Sequence, residues 1–178
     1  MKKIVEKARN IKLLILDVDG VLTDGRLYYN EQGEVTLGFH IQDGLGIDLL
    51  HRVGLQTAII SGRKAGAVEK RAAQLKIQHV HLGCAQKAQT YKALREKLQL
   101  NHEQIAYVGD DWIDIPAMKQ VGLKIAVANA VPEVKAIADW ETPHKGGKGA
   151  VRDVCELILK AQGHYENLLA DYFQDTAV

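Results

Sequence analysis

Asp17-Val18-Asp19-Gly20 follows directly on an apolar run, Ile11 to Leu16. Two carboxylates two residues apart, leaving a buried strand, can converge on one cation or one phosphoryl group, and a glycine lets the chain turn tightly beside them. An Asp-rich strand-end turn is the plain alternative for this segment taken alone. A calcium-binding EF-hand loop is excluded. Gly20 is the fourth position of such a loop instead of the sixth, Tyr28 stands at the twelfth where Glu is needed, and a strand precedes it. A second acidic group, Asp110, Asp111 and Asp114, follows another apolar run, Ile105 to Val108. Asp110 and Asp114 have the i, i+4 spacing of one helix face, although a single Asp at a helix start is ordinarily a cap. Three acids facing two more across a sheet repel unless a cation neutralises them, and hard oxygen donors in that number suit Mg²⁺.

Groups of opposite polarity end two more apolar runs. Ser61-Gly62-Arg63 offers a hydroxyl, backbone N–H groups at a helix start and a guanidinium, which together make an anion site; Ser61 as a simple N-cap is compatible with that. Lys87 lies near the start of a helical segment, the end of the macrodipole that disfavours cations, so an anion should be close by. Acids and cations at four strand ends describe metal-assisted phosphoryl transfer.

The elements that must hold these groups are legible as five apolar runs, Ile11–Leu16, Leu55–Ile60, Ile77–Leu82, Ile105–Val108 and Leu123–Val127, with helical periodicity between them. Ala65, Val68, Ala72 and Leu75 keep that period, as do Tyr91, Leu94 and Leu98, and then Val151, Val154, Leu157, Ile158 and Ala161. The runs are nearly continuous, which predicts strands covered on both faces. The alternation predicts an α/β fold with a doubly wound, parallel, Rossmann-like sheet, whose ligands sit at the carboxyl ends of the strands. From Gly25 to Phe39 two β-prone stretches flank Asn30 to Gly33, a hairpin that should project over the first strand's end as a flap. After Gly163 the periodicity fades, and Asn167 to Val178 reads as a mobile or docking tail. Trp112 is expected in the site wall or the core, and His79 and His81 at a surface.

Composition narrows the function classes. The 178 residues suffice for one domain and its core, with 47% hydrophobic residues. Lys plus Arg number 23 and Asp plus Glu 22, too balanced for a nucleic-acid binder held by bulk charge. No apolar stretch is long enough to span a membrane, and the charged start Met1–Lys7 lacks a signal-peptide core. Cys84 and Cys155 form no CxxC pair, which fits a reduced, cytoplasmic chain.

These four groups resemble, in order, the motifs of the haloacid dehalogenase superfamily of phosphotransferases: Asp17-Val18-Asp19-Gly20-Val21-Leu22-Thr23, then Ser61, Lys87, and Gly109-Asp110-Asp111 with Asp114. The resemblance covers nearly the whole chain. It implies Asp17 as a nucleophile forming an aspartyl-phosphate and Asp19 as general acid, then base. It also implies Mg²⁺ on Asp17, the backbone carbonyl of Asp19, and Asp110, with Ser61 and Lys87 holding the phosphoryl oxygens. Asp111 and Asp114 would orient the metal's waters and Lys87. The stretches from Asp17 to Ser61 and from Lys87 to Asp110 are each shorter than the ~50 residues of a small domain, so no separate cap domain fits. A neighbouring subunit's flap is the natural cover, implying a closed assembly such as a homotetramer.

Within the superfamily, the capless, hairpin-bearing pattern resembles the family of phosphatases acting on 3-deoxy-D-manno-octulosonate 8-phosphate in lipopolysaccharide biosynthesis. Asp17–Gly25, Phe39–Gly44, Ser61–Lys64, Tyr107–Asp114 and Gly146–Arg152 carry that likeness. It implies a phosphorylated sugar acid as substrate, met by Arg63 and Arg71, with Gly62 beside them. His40, Ile41, Gln42, Asp43 and Gly44 would line the substrate pocket, partly in a neighbour's site. Gly146–Arg152 is no P-loop and reads equally as a helix-start turn or a substrate contact. Gln42 and Asp48 stand where family members often carry basic residues. The alternatives are a phosphatase of another acidic sugar phosphate, such as a nonulosonate 9-phosphate, and a non-catalytic module on the same fold. The intact set Asp17, Asp19, Ser61, Lys87 and Asp110 speaks against the second.

Overall fold

The computed structural model describes residues 2–174. A short helix, α1 (Lys2–Arg9), leads into β1 (Leu13–Leu16), a four-residue strand buried throughout. The hairpin follows, β2 (Tyr28–Tyr29) paired antiparallel with β3 (Val35–Thr36). Its turn is pinned by Asn30, whose Oδ1 accepts from the backbone N–H groups of Gln32 and Glu34 at 3.1 and 2.8 Å. Then come α2 (Ile41–Arg52), β4 (Gln56–Ile60), α3 (Gly66–Gln74), β5 (His79–His81), α4 (Lys87–Lys97) and β6 (Ile105–Gly109). After a 3-10 turn at Trp112–Asp114 the chain continues as α5 (Ile115–Met118), β7 (Leu123–Ala126), α6 (Pro132–Ile137), β8 (Trp140–Glu141), α7 (Ala150–Ala161) and α8 (Tyr165–Gln174).

Six strands form one parallel sheet in the order β5-β4-β1-β6-β7-β8. The chain leaves β1 toward β4 and β5, then returns to β1's other side with β6, so the strand order reverses at β1. That reversal opens a crevice at the carboxyl ends. Register fixes what meets there. Leu16 is paired with both Ile59 and Val108. Asp17, Ser61 and Asp110 therefore emerge side by side from adjacent strands roughly 4.8 Å apart. The apolar stripe of α7 (Ala150, Val151, Val154, Cys155, Ile158 and Leu159, all buried) packs on α2 and α1, and α4 packs with α5.

All five expected strands and the hairpin are present. A sixth sheet strand, β8, and the leading helix α1 add to them; two paired residues and about two turns of highly charged helix are too short to stand out in periodicity. β5 is an edge strand with Val80 exposed, so it is not covered on both faces as expected. The segment after Gly163 is ordered as α8 through Gln174, held by Lys160 over the Tyr165 ring and Arg52 over the Tyr172 ring at 4.2 and 5.6 Å. The rest of the expected tail, residues 175–178, lies outside the described residues.

The loop before α7 presses against the turn that follows β1. A Cβ on Gly146 would run into the carbonyl of Gly20 and come within 2.9 Å of Val21 Cα. Gly146 has no positive φ, so a side chain there is opposed by space alone, whereas Gly163 (φ +76°) has nothing within 4 Å. Gly146→Ala should cost about 1–3 kcal/mol in urea unfolding and displace the Asp17–Gly20 turn, lowering activity as well. Gly163→Ala should cost about 1 kcal/mol and leave activity intact.

Candidate active site

Asp17, Asp19, Gly25, Gly62, Arg63, Asp110, Asp111 and Ile113 line a cavity of about 440 Å³ at the carboxyl ends of β1, β4 and β6. Ser61 and Lys87 lie beneath them, 1% and 3% exposed. The structure thus brings the four groups of the sequence into one place. Asp17 is held by its own backbone, its N–H donating to Val108 across the β1–β6 seam at 3.1 Å. Lys87, in the first turn of α4, donates to Asp17 Oδ1 at 2.7 Å and to Asp114 Oδ1 at 2.8 Å. Here are the anions that its position at a helix start demanded.

Asp114 does not share a helix face with Asp110. It closes the 3-10 turn and bends back, its Oδ2 accepting from the backbone N–H groups of Asp110 and Asp111 at 3.0 and 3.4 Å. Its Oδ1 accepts from Lys87 and from the Tyr107 hydroxyl, both at 2.8 Å. Four donors occupy the roughly four lone-pair positions of that carboxylate. Asp111 is a cap, accepting from Trp112 N at 2.7 Å. Trp112 itself is 63% exposed, so it is not part of the core.

A cation fits the remaining oxygens. Carboxylate oxygens of Asp17, Asp110 and Asp114 lie within 4.8 Å of one another, and Oδ1 of Asp110 and Oδ1 of Asp19 are buried without a hydrogen-bond partner. Such orphaned acceptors are costly and point to a missing positive charge. Arg63 Nε holds the other Asp19 oxygen at 2.9 Å, leaving Asp19 at the cavity mouth.

The predicted substrate contacts divide. Gly62 and Arg63 face the cavity, while His40–Gly44 and Arg71 form a separate cluster at the start of α2. Arg71 donates to the His40 carbonyl at 3.4 Å and lies over the Phe39 ring at 5.9 Å. Asp43 is buried and accepts from the Arg152 backbone N–H at 2.8 Å, serving the amino end of α7. Ile41 is 83% exposed. The Gly146–Arg152 segment braces the catalytic turn: Gly147 N–H donates to the Val21 carbonyl at 3.0 Å. Asn129 spans the two loops, accepting from Gly146 N–H at 2.6 Å and donating to the Gly20 carbonyl at 2.9 Å. Asn129 and Tyr107 are the site residues that the sequence reading missed. Tyr107 had a usable signal, a phenol in an otherwise apolar strand two residues before Gly109.

The electrostatics express the crowding. Burial, then the charge of Asp114, raises Asp17 from 3.8 to about 7, against the pull of Lys87. Burial, then Asp17, Asp114 and Asp111, raises Asp110 to about 8. Burial by itself pushes Lys87 down, but Asp17 and Asp114 outweigh it and hold the ammonium above its ordinary range. Both carboxyl groups bind protons more tightly folded than unfolded, so metal-free stability should fall as pH rises from about 4 to about 8 and then level off. Thermal unfolding in EDTA should show that decline, and Mg²⁺ should raise the midpoint more at pH ~8 than at pH ~5.5. A Mg²⁺ shift independent of pH would contradict the assignment.

Residues 83–154 match the model of the haloacid dehalogenase-like hydrolase family. The 3-deoxy-D-manno-octulosonate 8-phosphate phosphatase KdsC of Escherichia coli K12 is 49% identical over 160 residues, 90% of this chain and 85% of that protein. The phosphatase of that name from Moraxella catarrhalis, solved with a magnesium ion, a phosphate ion and a KDO molecule, superposes with a TM-score of 0.95 at 42% identity, covering 97% of this chain and 99% of that one. The one from Yersinia pestis gives a TM-score of 0.91 at 48% identity over 92% and 89% of the two chains. With sequence, fold and strand-end chemistry agreeing, the chain belongs to the 3-deoxy-D-manno-octulosonate 8-phosphate phosphatase family of the haloacid dehalogenase-like hydrolases.

Proposed function

We propose that the protein is a Mg²⁺-dependent phosphomonoesterase that releases phosphate from 3-deoxy-D-manno-octulosonate 8-phosphate in lipopolysaccharide biosynthesis. The observation that carries this is the buried Lys87 held between Asp17 and Asp114 beneath a cavity lined by further acids and Arg63. An Asp oxygen is a poor nucleophile toward an anionic phosphoryl group unless positive charge cancels the repulsion. Lys87 supplies one such charge. Asp17, the backbone carbonyl of Asp19, and Asp110 would hold Mg²⁺, which supplies a second when bound.

Asp17 attacks phosphorus, forming a carboxyl oxygen–phosphorus bond as the bond to the sugar's terminal oxygen breaks. Asp19 gives that departing oxygen its proton, and the sugar acid leaves as a free alcohol. Asp19 then takes a proton from water, whose oxygen attacks phosphorus, releasing inorganic phosphate and restoring Asp17. Ser61 and the N–H groups beside Gly62 suit the phosphoryl oxygens. Arg63, lining the cavity and already bound to an anion, suits the substrate's carboxylate.

The cavity is open, and exposed apolar groups elsewhere suit contact with a second subunit. Tyr28 and Tyr29 of the hairpin are 50% and 64% exposed, and Ile41 in the His40–Gly44 cluster is 83% exposed. A homotetramer in which one subunit's hairpin or α8 reaches a neighbour's site would bury these groups and bring His40–Gly44 and Arg71 to a substrate. A reducing, cytoplasmic setting fits the free cysteines Cys84 and Cys155, and among the described residues no helix is long and apolar enough to cross a membrane. Asp48 is paired with Arg52 on α2 at 2.9 Å; the same strand-end groups would also serve another acidic sugar phosphate, such as a nonulosonate 9-phosphate.

A panel of both sugar-acid phosphates, hexose phosphates and a nucleotide monophosphate should show phosphate release with Mg²⁺ strongly favouring the octulosonate ester. Preference for the nonulosonate ester, or an even response, would overturn the substrate assignment. Asp17→Asn should lower turnover by on the order of 10⁴-fold or more with the fold intact. Appreciable remaining activity would remove it as nucleophile.

A further inference from the structure

Tyr107 lies in the middle of β6, fully buried, with Ile15 of β1 and Lys124 of β7 as its register partners. Most residues of such a strand need only be apolar and of the right volume. A phenol there requires a partner for its hydroxyl, because no water reaches it. The partner is Asp114 Oδ1 at 2.8 Å, the same oxygen that accepts from Lys87 at 2.8 Å, while Lys87 reaches Asp17 Oδ1 at 2.7 Å. The strand end is shaped for this. Tyr107 and Gly109 point to the same face, and a Cβ on Gly109 would stand 2.7 Å from Asp114 Cβ and 2.8 Å from its Cγ. The bare glycine leaves the space through which Asp114 folds back onto the Tyr107 hydroxyl.

We propose that Tyr107 is a positioning residue of the phosphoryl-transfer site, whose hydroxyl, through Asp114 Oδ1, fixes the Lys87 ammonium between Asp114 and Asp17. The inference rests on the phosphatase reading of the site and adds to it the element that sets where Lys87 stands. A hydroxyl donated to Asp114 Oδ1 takes up part of that oxygen's negative charge, so the oxygen pulls less strongly on Lys87. Lys87 is then shared with Asp17 and with any phosphoryl oxygen beside it. Without the hydroxyl, Asp114 Oδ1 keeps Lys87 as its one remaining donor and draws the ammonium toward itself, away from the nucleophile. Tyr107 cannot take this role as a base: burial, and then the charges of Asp114 and Asp17, hold its phenol well above the ordinary range, so it remains a donor.

The test compares Tyr107→Phe with Tyr91→Phe. Tyr91 is also fully buried, lies one turn beyond Lys87 on α4, and gives up a comparable hydrogen bond, to His102 Nδ1 at 2.7 Å. With saturating Mg²⁺, on both p-nitrophenyl phosphate and the octulosonate ester, Tyr107→Phe should lower kcat roughly 10- to 100-fold. Its KM should stay within about twofold, since ground-state binding draws on groups at the cavity mouth. Tyr91→Phe should lower the melting temperature and leave kcat within about twofold. In lysine-¹⁵N-labelled protein, the buried Lys87 Nζ resonance, assigned by its loss in Lys87→Met, should shift or broaden in Tyr107→Phe and not in Tyr91→Phe.

Unchanged kcat and an unchanged Lys87 resonance in Tyr107→Phe would overturn the proposal. So would losses in kcat matched by Tyr91→Phe, which would mark both tyrosines as merely structural. Failure of the wild-type protein to hydrolyse either ester would count against the phosphatase reading, while the Lys87 resonance would still decide the role of Tyr107. Should Tyr107→Phe not fold, 3-fluorotyrosine placed at position 107 keeps the hydroxyl and makes it a stronger donor. A shifted Lys87 resonance with a changed kcat would then support the link, and wild-type values would overturn it.

Discussion

Four ionisable groups, Asp17, Asp110, Asp114 and Lys87, are packed where one parallel sheet reverses its strand order, and their mutual charge governs the rest of the structure. Three carboxylates with a single buried ammonium leave a negative excess that water cannot screen. The protein answers in two ways. It spends all the acceptors of Asp114 on fixed donors, and it leaves an oxygen of Asp110 and one of Asp19 without any. The first arrangement makes an immobile anchor and the second an unmet demand for a cation. Pairing an anchored lysine with an unsatisfied acidic pocket is a means of attracting a phosphoryl group together with its metal.

Such crowding can persist only on a rigid base. β1 is buried throughout and hydrogen-bonded on both sides, so Asp17 has little freedom at its Cα. The turn beyond it is closed from above by the Gly146–Gly149 loop, with Asn129 joining the two. These contacts are made by backbone atoms in close approach, which is why glycine recurs at the points where loops meet. The surrounding helices contribute mainly apolar burial, α7 and α2 covering one face, while α4 also contributes Lys87 from its first turn.

Much of this was legible in the sequence, and what was not has physical reasons. Four of the five longer strands announced themselves because strands buried on both faces must be continuously apolar; β5, an edge strand with Val80 exposed, carries an apolar run without that burial. The acids, Ser61 and Lys87 were legible because such residues at the ends of such strands are otherwise hard to accommodate. β8 is two residues long, and α1, although amphipathic, is too brief for its period to stand out. Asp114 was expected on a helix face beside Asp110, but the 3-10 turn brings it backward under Gly109, a geometry set by hydrogen bonds to Asp110 and Asp111 that spacing does not encode. Tyr107 acts through Asp114, which reaches it only because the 3-10 turn folds back, and Asn129 joins Gly20 to Gly146 from a loop with no pattern of its own. The fading after Gly163 reflects a helix, α8, that buries none of its residues fully and so needs no continuous apolar stripe; its Tyr165 and Tyr172 rings are met by Lys160 and Arg52 from other helices.

In the proposed chemistry everything turns on Asp17, held by Lys87, becoming covalently phosphorylated. Rapid acid quenching during turnover of a ³²P-labelled ester, followed by borohydride reduction and mass spectrometry of the peptides, reads this directly. An acyl phosphate should form and decay at the turnover rate, with reduction converting residue 17 alone. Label on another residue, or turnover at full rate with no acyl phosphate formed, would contradict it.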